Sequence, residues 1–81
     1  MNIQLIEGEF KAQDACDLIA QMIQLKIKYH ESKIMIDSTE EDIKYRESKI
    51  KNLQNELFEL KDTLYKSKNV NVVVDAMIKI N

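Results

Sequence analysis

Hydrophobic and polar positions change rhythm three times along the chain. Over residues 2–7, Ile3 and Leu5 alternate with Asn2 and Gln4, and Ile6 breaks the alternation. Period 2 predicts a short strand. Gly8, the single glycine, follows and is placed at a strand-to-helix turn, where an unusual backbone angle is useful. Over residues 12–36 the rhythm becomes helical. Cys16, Ala20, Ile23, Ile27, His30 and Ile34 fall on one stripe by 4-3-4-3-4 spacing, and Ala15, Leu18, Met22, Leu25 and Tyr29 fall on a second beside it.

Asp37, Ser38 and Thr39 interrupt that pattern. Ser38 and Glu41 read as a capping box, so a second helix is predicted over residues 39–66. Glu40, Glu41 and Asp42 in its first turn suit the positive end of the helix dipole. Ile43, Ile50, Leu53, Leu57, Leu60 and Leu64 occupy heptad a and d positions, with Arg46 at the remaining d, and Phe58 and Tyr65 fall outside that seam. Residues 70–80 return to period 2. Val72, Val74, Ala76, Ile78 and Ile80 alternate with Asn71, Val73, Asp75, Met77 and Lys79, which predicts a second strand.

The expected fold is α+β, mainly α, in one domain over residues 1–81. A long antiparallel helical hairpin brings the end of the first strand to the start of the second, and the two short strands pair at its base.

The segment 27–34 reads IKYHESKI and the segment 43–50 reads IKYRESKI, identical at seven of eight positions. A hairpin centred between Ser38 and Thr39 sets Ile34 against Ile43, Ile27 against Ile50, His30 against Glu47 and Glu31 against Arg46. Two apolar layers then enclose a polar one. A carboxylate beside His30 is expected to raise its pKa. His30, Glu31 and Glu47 are the only candidates for a metal site, and one His with two carboxylates is a thin ligand set for zinc.

Composition narrows the chemistry. One Cys excludes a disulfide-stapled scaffold, and no Pro with one Gly excludes a turn-rich β-sandwich. Cys16 sits on an apolar stripe with no activating His nearby, and no glycine-rich phosphate loop exists. The chain is therefore read as non-enzymatic and without a cofactor. No apolar run approaches the ~20 residues needed to span a bilayer, and no leader-like start is visible, so a cytoplasmic protein without membrane association is expected. Twelve basic against fourteen acidic side chains give a formal charge of −2. Within residues 26–51 seven basic residues face six acidic ones, so no concentrated basic excess points to nucleic acid.

What the pattern does predict is association. Helix one carries apolar residues on more than one face, and one partner helix cannot cover them all. A lone two-stranded ribbon is marginal, and a Val-rich edge is a hazard unless covered. The expected function is self-association through protein–protein contacts as a homodimer or higher homo-oligomer. Leu18, Met22, Leu25, Phe58, Val72 and Val74 are the candidate interaction residues. The alternatives are an adaptor, inhibitor or accessory subunit of a heterologous protein, or a nucleic-acid-binding regulator.

Overall fold

The computed structural model describes residues 1–66 and 71–81. Their order is β1 (Asn2–Lys11), α1 (Ala12–Ser32), α2 (Glu40–Lys66) and β2 (Asn71–Lys79). This is the β-α-α-β order read from the sequence, and Val70, the expected start of the last strand, lies outside the described residues.

The first strand is longer than period 2 alone indicated, because it contains a bulge. Asn2, Ile3 and Gln4 pair with Lys79, Ile78 and Met77, and the register then slips so that Ile6 through Lys11 pair with Ala76 through Asn71. Leu5 is the extra residue. The slip resets the alternation. Ile3, Ile6, Gly8 and Phe10 end up on one half-buried face with Val72, Val74 and Ala76. Ile6, which spoiled the sequence pattern, marks the bulge. Gly8 lies inside β1 opposite Val74, not at its end, with φ of +146°. That angle is closed to L side chains, although a Cβ there would meet only the Phe10 ring at an ordinary 3.8 Å. Gly8 is required by its backbone angle, not by crowding.

Both inner helix ends differ from expectation. α1 stops at Ser32, four residues early. The Ser32 hydroxyl donates to the Tyr29 carbonyl at 2.7 Å, and the Lys33 and Ile34 amides tighten onto the carbonyls of His30 and Glu31. These i to i+3 bonds use up the last carbonyls of α1. The cap of α2 is Thr39, one residue past Ser38: its Oγ1 accepts the Asp42 amide at 3.1 Å. Ser38 instead turns the loop, its Oγ accepting the Met35 amide at 3.0 Å.

The helices pack side by side as an antiparallel hairpin. Leu53 is buried at the middle of the seam, flanked by half-buried Ile43, Arg46, Ile50, Leu57, Leu60 and Leu64. At the base, Ala12 and Ala15 are buried together with Val74, where small residues at the start of α1 let the ribbon approach. Among the described residues these three and Leu53 are the whole buried core, and no large side chain is fully enclosed.

The molecule is thin and open. Its extents are 48 × 34 × 13 Å, so the hairpin is a single layer of two helices. The radius of gyration is 15.5 Å, against about 12 Å for a compact chain of this length. No helix is long and apolar enough to cross a membrane.

The burial order along the seam predicts a stability order. Leu53→Ala is expected to cost about 2–4 kcal/mol, and Leu57→Ala, half open to solvent, about half of that. Urea unfolding at one fixed protein concentration measures both. Equal or reversed costs contradict a seam centred on Leu53.

Candidate functional site at the hairpin tip

The hairpin lays the two copies of the octapeptide side by side, running in opposite directions. At the position where they differ, their side chains meet. Arg46 Nη1 donates to His30 Nδ1 at 2.9 Å. The expected pairs His30 with Glu47 and Glu31 with Arg46 do not form. Arg46 lies on the half-buried seam, and Glu47, one residue or 100° of helix further on, is exposed.

This contact fixes the chemistry of His30. A ring nitrogen that accepts from a guanidinium carries no proton, so Nδ1 is bare and Nε2 holds the hydrogen. The pKa of His30 is lowered, opposite to the expectation. Desolvation by burial is the first cause, followed by the positive charges of Arg46, Lys49 and Lys26. The Nδ1 lone pair that a metal would need is taken by the Arg46 guanidinium. Among the described residues no three metal-binding side chains cluster, so His30, Glu31 and Glu47 are not assembled into a metal site.

Helical spacing sorts the remaining tip residues onto two flanks. Lys26, Tyr29 and Lys33 follow i, i+3, i+7 on α1, and Tyr45 and Lys49 follow i, i+4 on α2. Lys33 Nζ lies 5.5 Å from the Tyr29 ring centre, and Lys49 Nζ lies 5.5 Å from that of Tyr45. These are the same contact in each copy of the repeat. Arg46 joins them, its guanidinium carbon 5.7 Å from the Tyr29 ring and 5.6 Å from the Tyr45 ring. The Tyr29 ring also meets the His30 ring edge-on, with centroids 5.4 Å apart. Both tyrosines stay about half exposed, 53% and 55%. One flank of the tip is therefore a cluster of four cations and two aromatic rings. Glu31 and Glu47, each on the C-terminal side of a seam residue, are turned by the same spacing onto the other flank.

The counting of charges along residues 26–51 missed this cluster because opposite flanks cancel in a linear sum. Counting by helical flank finds it. Among the described residues the ion pairs on α2 are Glu40 with Lys44 at 3.3 Å and Asp62 with Lys66 at 3.1 Å, both exposed.

The candidate interaction residues lie elsewhere. Leu25 and Phe58 are 70% and 74% exposed, on opposite sides of the hairpin. Leu18, Met22 and Val72 are half-buried, and Val74 is already buried within the chain opposite Gly8. Leu18 lines an open groove with Phe10, Asp14 and Asp17 beside the ribbon. Cys16 is half-buried on the seam stripe. No family model, curated protein or solved structure matches the chain.

The lowered pKa of His30 makes stability depend on pH with a definite sign. Between the folded value and the unfolded value of about 6.5, only the unfolded chain binds the proton. Stability is full above that window and falls as pH drops through it. In His30→Gln this segment of the pH dependence is expected to vanish. NMR titration of the ring and denaturation at several pH values measure the two sides. A His30 pKa above 6.5 rules out the contact with Arg46.

Proposed function

We propose that the protein is a non-enzymatic, self-associating helical-hairpin module that works through protein–protein contacts, with a two-fold homodimer as its basic form. The supporting observation is the amount of surface left open. The chain exposes 6657 Å², whereas a compact monomer of its mass exposes about 5,000 Å². The difference, on the order of 1,600 Å², is what a chain contributes to a substantial homodimer interface, where totals of about 2,000–5,000 Å² are shared by two partners.

The location of the apolar surface supports one arrangement. On α1, Leu18, Met22 and Leu25 form a stripe that α2 and the ribbon cover only in part: Leu18 and Met22 are half-buried and Leu25 is exposed. Pairing α1 with α1 of a second copy around Leu18 and Met22 buries this stripe and closes a four-helix layer. The same axis brings the ribbons together, where Leu5, Met77, Ile78 and Ile80 are exposed. Joining ribbons in this way removes open edges that favour uncontrolled strand pairing.

Phe58 favours a second partner. It is 74% exposed on α2, away from the Met22–Leu25 stripe, so a dimer centred on α1 leaves it open. It suits a heterologous protein that docks on α2, which would make the dimer an adaptor or accessory subunit.

Light scattering on a sizing column across a range of concentrations tests the proposal. The expected mass is twice that of the 9.5 kDa chain. Leu25→Lys should shift it toward the monomer, and Phe58→Lys should leave it unchanged. A folded monomer at every concentration removes the self-association reading. Loss of the dimer in Phe58→Lys alone places the interface on the wrong helix.

A further inference from the structure

The cations on the basic flank of the tip are not held in ion pairs. Among the described residues Lys26, Lys33, Arg46 and Lys49 make no ion pair; the two ion pairs found, Glu40 with Lys44 and Asp62 with Lys66, lie outside the cluster. The cations are held over tyrosine rings instead. Helical spacing brings two carboxylates toward this flank, Glu41 and Asp42, a turn beyond Tyr45 toward the loop, and neither forms an ion pair with the cluster. The four positive charges thus repel one another in a chain whose net charge is −2. A ligand that supplies anions and flat apolar faces relieves the repulsion and covers the rings.

We propose that this flank, built from Tyr29, Tyr45, Lys26, Lys33, Arg46 and Lys49, binds single-stranded nucleic acid. The cations are spread over two helices and do not converge on one point, which suits successive backbone phosphates better than one free anion. Two half-exposed rings offer stacking surfaces for bases, and only unpaired bases have open faces to stack. A duplex could use the cations but not the rings. An anionic membrane fits poorly, because Met35 and Ile36 at the loop, which would have to enter it, are followed by Asp37, Glu40, Glu41 and Asp42. Recognition is independent of base sequence, since nothing on this flank reads a base edge.

Fluorescence anisotropy of a labelled short oligothymidylate, titrated with the full chain over a salt series, tests the site. Binding is expected with Kd of about 10⁻⁴ to 10⁻⁶ M at physiological salt and tighter below it, and log K should fall with log salt at a slope of about −3, four cations at about 0.7 each. Lys33→Gln with Lys49→Gln should reduce the slope to about −1.5. Tyr45→Leu should lower affinity about fivefold or more with the slope unchanged. Lys44→Gln and Lys51→Gln, on the other flank, should alter neither, and circular dichroism checks that each variant remains helical. Absence of binding at low salt overturns the proposal, as does binding that survives loss of Lys33 and Lys49. Affinity insensitive to Tyr45→Leu, with inorganic polyphosphate competing as well as oligothymidylate, reduces the site to a phosphate patch and overturns the nucleic-acid assignment. Binding to phosphatidylserine vesicles without binding to the oligonucleotide does the same in favour of a membrane surface.

Discussion

Two helices packed side by side bury one stripe of each other, and in a molecule 13 Å thick nothing above or below covers the rest. α2 fits this constraint, because its large apolar residues mostly lie in one seam centred on Leu53. α1 does not fit, because it carries a second stripe through Leu18, Met22 and Leu25. A 21-residue helix with two apolar faces and one neighbour is unfinished as a monomer. The ribbon has the same deficit. Its inner face is anchored to the start of α1 by Val74, Ala12 and Ala15, and its outer face presents Val73 and Met77 to solvent. The open surface is thus a consequence of topology. It does not come from an excess of apolar residues, since mean hydropathy is −0.39.

The same seam decides the electrostatics of the tip. A side chain at the seam meets its opposite number, and one residue to either side the chain turns onto a flank. Tyr29 and Tyr45 precede the seam residues His30 and Arg46, and Glu31 and Glu47 follow them. In an antiparallel pair, the residues that precede seam positions on both helices share one flank. The hairpin therefore gathers two tyrosines, and with them Lys26, Lys33 and Lys49, on one side while the two glutamates gather on the other. A linear count finds near-neutrality where the fold has separated the charges.

Element types and order were legible because each segment carries a strong single period, and the capping and loop residues bracket the helices. What remained hidden depends on contacts between distant residues. The bulge at Leu5 needs β2 to define it, and Ile6 signalled it only as a flaw in alternation. Gly8 reads as a turn residue because the left-handed angle it adopts is commonest in turns, yet here it lies within a strand. Ser38 and Thr39 are both good caps, and the choice between them rests on which hydroxyl the loop uses to bond Met35. Which side chains meet across the seam is fixed only once the two helices pack, and there His30 meets Arg46. The sequence-based pairing of His30 with Glu47 therefore failed, and with it the sign of the histidine's pKa shift.

The single difference between the two octapeptides follows from the register the structure adopts. Positions 30 and 46 are equivalent in the repeat, and they are the pair that meets across the seam. Arginine at both would set two permanent charges in contact on the half-buried seam, where partial burial strengthens their repulsion. Histidine at both would leave two neutral rings with no charge to hold the tyrosine faces. One histidine and one arginine resolve the conflict. The neutral ring accepts from the guanidinium, and the guanidinium, relieved of one donor, still reaches both Tyr29 and Tyr45. The asymmetry allows a nearly two-fold arrangement to close over its own centre, and it keeps the positive charge of the cluster on the flank where the rings are.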